Sequence, residues 1–325
     1  MELAAEHARS GEGRDAFAAE VRHYLMQRPR QLPSRYFYDE LGTALFEAIC
    51  RLPWYSITRA EARLLLAHGA EIFRRVAPLA TIVELGSGSG EKLMTLLGAA
   101  GPAAGPQAIH LVDLSAAALE LASRLLAPLD HFRLTTHEAP FETGLHDAVG
   151  TFSSGGHVLV LFLGSNIGNF DPPACNALLR RIRSELRAGD ALLLGADLVK
   201  PEAALHLAYD DPLGVTGAFN RNLLVRVNRE LGGNFVIDQY AHLAPWNQAA
   251  SRVEMHLVAR SDQQIRVAGA GIEFAMEAGE TIWTESSYKF QADEIVRRLE
   301  TSGFRASGQW IDERDRFALT LSEAL

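Results

Sequence analysis

From about Thr58 the chain alternates between helix-period and strand-like stretches. Thr58-Arg-Ala-Glu61 has capping-box spacing, with Thr58 accepting from an early helical N–H and Glu61 reaching back, and predicts a helix to about Arg75. A strand at Thr81–Leu85 follows, then a helix from about Gly90 and a Gly/Ala/Pro-rich loop over Gly98–Gln107. Ile109–Asp113 reads as the next strand, and Ser115 as the cap of a helix to about Leu126. Phe132–Thr136 is a weaker strand, whereas Val158–Leu163 is apolar throughout, as a strand buried on both faces should be. Asp171-Pro172 supplies an N-cap and a first-turn proline for a helix ending near Gly189, and Ala191–Gly195 is the strand after it. Five such repeats predict a parallel, doubly wound sheet with right-handed crossovers.

The rhythm breaks over residues 201–287, which carry helical stretches and then alternating segments such as Arg252-Val-Glu-Met-His-Leu-Val258. From Gln291 it resumes, with a helix to Ser302, Gly303 as its stop, and two strands, Arg305–Ile311 and Phe317–Leu321. A parallel core finished by a helix and a terminal hairpin is how a class I methyltransferase sheet closes. The predicted fold is therefore α/β and Rossmann-like, a doubly wound sheet closed by an antiparallel C-terminal hairpin, with an inserted α+β substrate domain. The expected division is 59–200 plus 288–325 for a cofactor-binding domain, and 1–58 plus 201–287 for a substrate-binding domain.

Composition narrows the chemistry. The 325 residues suffice for one large or two ordinary domains. A net charge of -9 disfavours a nucleic-acid groove, which wants a basic face. Cys50 and Cys175 form no CxxC, fit a reducing cytosol and give no zinc signature; the eleven histidines include no HExxH, so no metal is expected. Met1 to Asp15 is polar, without the apolar stretch of a signal peptide, and the apolar runs are too short for a membrane span. A cytoplasmic monomer acting on a small molecule is expected, with neither nucleic acid nor membrane as partner.

The most informative stretch is Thr81-Ile-Val-Glu-Leu-Gly-Ser-Gly-Ser-Gly-Glu-Lys92, a strand running through a glycine-spaced turn into a helix. Such a turn lets backbone approach a nucleotide, and an acid after the next strand, Asp113, can accept from both ribose hydroxyls. A dinucleotide fingerprint needs a third glycine three positions after the second; Glu91 stands there, which argues against a pyrophosphate. S-adenosylmethionine carries no phosphate, so the helix start need hold only a carboxylate, which Lys92 can assist. Phe141 could lie beside adenine, although from sequence alone an ordinary core phenylalanine is the better reading.

Three further stretches set polar groups beside apolar runs: Phe162-Leu-Gly-Ser-Asn-Ile-Gly-Asn169 at a strand's carboxyl edge, Tyr209-Asp-Asp211 with Ala218-Phe-Asn-Arg-Asn222, and Trp283-Thr-Glu-Ser-Ser-Tyr-Lys289. In the last, strand alternation puts Glu285 and Ser287 on one side. With Tyr36-Phe-Tyr-Asp-Glu-Leu-Gly42, Thr58-Arg59, Glu84-Leu-Gly-Ser-Gly88, Asp197-Leu-Val-Lys200, Arg252-Val-Glu-Met255 and Lys289-Phe290, these stretches are similar to the histidine-specific α-N-methyltransferases of ergothioneine biosynthesis, from about residue 30 onward.

The resemblance implies S-adenosylmethionine as methyl donor and three successive methylations of L-histidine to hercynine. It implies cofactor contacts at Gly86, Lys92 and Asp113, with Phe141 near adenine. It implies Tyr55 and Met255 lining the amino-acid pocket, Asn169 and Tyr209 on its carboxylate, Glu285 and Ser287 on its imidazole, and Tyr38 as the catalytic residue near the amine. Three positions depart from the family's usual pattern: Ser56 for a second tyrosine, Pro140 for an aspartate before Phe141, and Asn166 for threonine. A different free amino acid as acceptor, or a non-catalytic S-adenosylmethionine-binding protein, are the alternative readings.

Overall fold

Seven strands form the main sheet, in the order 304–312, 317–324, 191–197, 157–162, 79–85, 108–113 and 133–138. The five strands from Leu79–Leu85 to Ala191–Asp197 run parallel, and Phe317–Ala324 pairs antiparallel with both Ala191–Asp197 and Phe304–Asp312. This is the sheet of a class I methyltransferase. The computed structural model describes residues 2–101, 106–129, 131–150 and 155–325.

The central strands are parallel because helices cross over between them, so both faces are covered and the strands read as apolar runs: Val158–Phe162 and Ala191–Asp197 are buried at every position. From Leu79–Leu85 the chain builds outward to Arg133–Glu138, then returns to the other side of Leu79–Leu85 with His157–Phe162. That reversal makes the carboxyl edge between these two strands the place where open α/β sheets take ligands. The closing hairpin turns at Arg316, φ 54°, where Asp312 Oδ1 accepts from the backbone N of Asp315 at 2.9 Å.

Several local expectations hold. Ser115 Oγ accepts from Ala118 N, and Asp171 Oδ1 from Ala174 N ahead of a helix at Pro172–Glu185. Others need correction. The helix Ile57–Arg75 has Ser56 at its N-cap with no side-chain capping bond, and Glu61 does not reach back. Its carboxylate is wholly buried and takes long-range partners instead, so the capping-box spacing is coincidental. The helix Glu91–Ala100 runs into the expected Gly98–Gln107 loop, of which 102–105 lie outside the described residues. The strand expected to stop at Gly195 continues to Asp197.

The chain divides into two units, the one bearing this sheet comprising Tyr55–Pro201, Gln248–Arg252 and Ser287–Leu325. The other comprises Met1–Trp54, Glu202–Asn247 and Val253–Ser286. Its long helix Val215–Leu231 is started by Asp211, whose carboxylate accepts from the backbone N of Leu213, Val215 and Thr216. The helix Glu40–Arg51 is capped by Asp39, which accepts from Gly42 N at 2.7 Å and from Asn222 Nδ2 at 2.7 Å. A five-stranded sheet sets Arg252–Ala259 beside Thr281–Tyr288; along the former, Val253, Met255, Leu257 and Ala259 are buried while the intervening residues are half-buried, the alternation its sequence predicts.

Candidate active site

The strand Leu79–Leu85 runs into Gly86, Gly88 and Gly90, all at positive φ (75°, 51° and 79°), and then into the helix Glu91–Ala100. A Cβ on Gly86 would stand 2.5 Å from Asn166 Nδ2 and 3.5 Å from the Phe141 ring, so the turn needs glycine for both conformation and room. A Cβ on Gly88 would meet nothing within 4 Å: the turn borders open space. Asp113 ends the neighbouring strand. Its Oδ2 accepts from Gly88 N at 3.0 Å and its Oδ1 from Ser115 N at 2.9 Å, leaving each oxygen further acceptor capacity. Burial pushes this carboxyl up, and the backbone N–H groups pull it back. Phe141 opens the helix Phe141–Val149 with its ring 5.2 Å from that of Phe162. An open-sided glycine turn, an acid with spare acceptor capacity, an aromatic ring and a lysine fit a nucleoside that carries a carboxylate and no phosphate.

Behind the turn lie two buried acids. Glu61 accepts from Gly164 N with both oxygens, at 2.8 and 2.9 Å, and its Oε2 is 3.7 Å from Lys92 Nζ. Burial pushes its carboxyl up, while Lys92 and the Gly164 N–H act in the opposite sense. Gly195 gives it space, since a Cβ there would collide with Glu61 Oε1. Glu84, at the end of its strand, is buried with no hydrogen-bond partner on either oxygen among the described residues, and burial pushes its carboxyl up to about 8.

A third cluster sits at the carboxyl edge of Ala191–Asp197. Asp197 Oδ2 is 3.0 Å from Lys289 Nζ, and Lys289 Nζ donates to Ser287 Oγ at 2.9 Å. Lys200 Nζ stands 2.6 Å from Asp197 Oδ1, close in distance but off the hydrogen-bonding angle. The backbone N of Asp197 donates to Ser165 Oγ at 2.9 Å, and Ser165 holds the turn after His157–Phe162 at φ 60°. Tyr55 is buried, and Asn169 ends the 3-10 turn Asn166–Asn169 with an exposed side chain.

In the other unit Tyr38 rests its ring against Phe46 and Phe219, at 5.7 and 5.8 Å, beside the capping Asp39. Tyr209 closes the helix Glu202–Tyr209, and its carbonyl accepts from His242 Nε2 at 2.7 Å. That bond fixes the tautomer: Nε2 carries the proton, and Nδ1 accepts from Asn220 Nδ2 at 2.9 Å. Burial holds His242 below its ordinary pKa, which keeps the ring neutral. Asn220 also donates to the His256 carbonyl at 3.1 Å and accepts from Thr284 Oγ1 at 2.7 Å, while the same hydroxyl lies 3.0 Å from the Met255 carbonyl. Three strand or helix segments carrying Tyr209, Met255 and Glu285 are thus tied to one buried amide. Glu285 itself is half-buried, its carbonyl accepting from Trp283 Nε1 at 2.8 Å.

The sheet-bearing unit therefore brings together Gly86, Phe141 and Asn166, joins Asp113 to Gly88, and sets Lys92 beside Glu61. A family described as "Histidine-specific methyltransferase, SAM-dependent" matches residues 17–324. The chain belongs to that family. The histidine N-alpha-methyltransferase of Mycolicibacterium smegmatis is 40% identical over 309 residues, 95% of either chain. That of Mycobacterium tuberculosis is 38% identical over 319 residues, 98% of either chain. Ergothioneine biosynthesis protein 1 of Neurospora crassa is 29% identical over 307 residues, 87% of this chain and 32% of that one.

Sequence reasoning about this methyltransferase passed over Glu61, Glu84, Asp197, Lys289, Asn220 and His242 as site components. Glu61 carried a signal that pointed elsewhere, its spacing from Thr58. Asp197 and Lys289 lay in family-like segments but had no visible partner, since a buried ion pair leaves no local pattern. The signal that was available is a charged residue at the end of an apolar run, which Glu84 and Asp197 share.

Proposed function

We propose that this methyltransferase transfers methyl groups from S-adenosylmethionine to the α-amino nitrogen of L-histidine, three times over, giving hercynine as a step of ergothioneine biosynthesis. The match to histidine-specific methyltransferases over residues 17–324 carries the reading. Its test is incubation of pure protein with S-adenosylmethionine and an equimolar mixture of free amino acids, followed by mass spectrometry. Histidine gaining three methyl groups is expected. Methylation of another amino acid supports the second reading, a shifted acceptor, for which Ser56, Pro140 and Asn166 leave room; no methylation at all overturns catalysis.

When bound, the cofactor supplies a methyl group activated by its sulfonium. The roles of the chain's residues are these. Gly86 and the turn around it admit the nucleoside, Asp113 accepts from its ribose hydroxyls, Phe141 lies along adenine, and Lys92 neutralises the carboxylate. Asn169 and Tyr209 hold the substrate's carboxylate, Tyr55 and Met255 wall the side chain, and Glu285 and Ser287 grip the imidazole. The substrate amine reacts as its neutral base, so its ammonium form must first lose a proton, since α-amino groups titrate near or above neutrality. Tyr38 orients the amine's lone pair rather than acting as a strong base. The rate then comes from approach geometry and exclusion of water.

A cytoplasmic, monomeric enzyme without a metal belongs to the same reading, with no nucleic acid or membrane partner. The net charge of -9 supports the exclusion of nucleic acid. Among the described residues no helix is long and apolar enough to cross a membrane.

A further inference from the structure

Asn166 opens the 3-10 turn Asn166–Asn169 at the carboxyl edge of the main sheet. Its backbone is fixed from behind. Ser165 Oγ accepts from Asp197 N at 2.9 Å, the Ser165 carbonyl accepts from Gly168 N at 2.8 Å, and Ile167 is buried. The side chain is held differently: Asn166 is half-buried, and its carboxamide has no hydrogen-bond partner among the described residues. Two glycines locate that carboxamide. Nδ2 lies 2.5 Å from where a Cβ on Gly86 would stand, and the Phe141 ring is 3.5 Å from the same point. Oδ1 lies 3.8 Å from where a Cβ on Gly164 would stand, and Lys92 Nζ is 2.5 Å from that point. The amide thus reaches from the glycine turn toward the lysine, with an uncommitted donor at one end and an uncommitted acceptor at the other. The family's usual threonine would stop one bond short, so this reach belongs to the asparagine of this chain.

We propose that Asn166 is a further cofactor-binding residue: its Oδ1 accepts from the ammonium of the methionine part of S-adenosylmethionine, next to the carboxylate that Lys92 neutralises. The inference deepens the proposed function and rests on its assignment of Lys92. The methionine part carries opposite charges on one carbon, so a cation that takes the carboxylate leaves the ammonium to be matched by an acceptor nearby. An ammonium has three hydrogens and no lone pair, so only acceptors satisfy it. The acids around the turn are otherwise engaged. Glu61 accepts from Gly164 N with both oxygens, Asp113 accepts from Gly88 N and Ser115 N on the ribose side, and both oxygens of Glu84 are sealed inside the fold. Asn166 Oδ1 faces the region beside Lys92 with its acceptor capacity intact. Being neutral, it matches the ammonium without competing with the cofactor carboxylate for the lysine, as an aspartate there would.

The test is calorimetry with three ligands: S-adenosylhomocysteine, its decarboxylated analogue, which keeps the amine, and its deaminated analogue, which keeps the carboxylate. No methyl acceptor is present, so the outcome does not depend on which amino acid the enzyme methylates. The melting temperature reports the integrity of each variant. In Asn166→Ala, S-adenosylhomocysteine and the decarboxylated analogue should each bind about tenfold more weakly, while the deaminated analogue binds as in wild type. An equal loss for all three ligands, or no loss for any, overturns the proposal. A loss confined to the two ligands that keep the carboxylate also overturns it, because Nδ2 would then be the contact. If the alanine variant does not fold, Asn166→Ser replaces it, since its hydroxyl stops one bond short; the same pattern is expected and its absence is equally decisive. Lys92→Gln separates the two levels. It should weaken S-adenosylhomocysteine and the deaminated analogue and spare the decarboxylated one. Wild-type binding of all three by Lys92→Gln removes the carboxylate assignment of Lys92 and the proposal with it. The selective loss in Lys92→Gln, without its counterpart in Asn166→Ala, removes only the role of Asn166.

Discussion

The two units hold their functional side chains by different physics. Around the glycine turn the fixing groups are charged: Glu61 against Lys92, and Asp197 against Lys200 and Lys289. In the other unit they are neutral, an amide, an imidazole and a hydroxyl that pass hydrogen bonds from Thr284 through Asn220 and His242 to the Tyr209 carbonyl. Coulomb attraction falls slowly with distance, so a pair such as Glu61–Lys92 works at 3.7 Å and tolerates small shifts. Hydrogen bonds lose strength steeply with angle and length, so the neutral set depends on shape. Residues around the glycine turn should therefore respond to loss of charge, and residues tied to Asn220 to loss of geometry.

The largest effect expected is at Glu61. Glu61→Ala strips the Gly164 N–H of its acceptor and Lys92 of a buried counter-charge, which should cost about 3 kcal/mol of stability and weaken S-adenosylhomocysteine binding about tenfold. Glu61→Gln sharpens the point: the amide oxygen can still accept from Gly164, so stability should recover more than affinity. Full recovery of affinity by glutamine, read by calorimetry, would mean that charge is not what places Lys92.

Asn220→Leu comes next. It keeps approximate volume and removes the partners of His242 Nδ1, the His256 carbonyl and Thr284 together, at a cost of about 2 kcal/mol. The KM for histidine should rise while S-adenosylhomocysteine binds as in wild type. Equal rises in both constants would break the separation between the two units.

The smallest effect on activity, and the clearest pH signature, belongs to Glu84. Burial raises its carboxyl from 4.5 to about 8 in the folded protein. A raised folded pKa favours the folded state at low pH, and that contribution is lost as pH climbs from the unfolded value through the folded one. Glu84→Gln cannot lose it. The Tm advantage of the glutamine variant should therefore grow between pH 5 and pH 8 and then level off, as followed by thermal melts of the cofactor-free protein. A constant difference across that range would show that Glu84 ionises normally.

Why some of these residues were legible beforehand follows from the same contrast. The glycine turn and Asp113 stand within a strand–turn–helix and the strand after it, and apolar runs such as Val158–Leu163 announce their burial in their own composition. Glu61 misled because a local spacing rule fitted it, while the group that bonds it, Gly164 N, belongs to another strand's end. Asn220 and His242 look like ordinary polar residues of a helix and a strand; only the fold makes them one network.

The alternation of strands and helices, the S-adenosylmethionine-type turn and the family were determined by the sequence alone, because backbone conformation and apolar periodicity are properties of neighbouring residues. Which charges are buried and which tautomer His242 holds were decided only by tertiary structure. Each of those depends on a partner brought from a distant part of the chain, and a low-dielectric interior makes that partner, rather than the local sequence, set the energy.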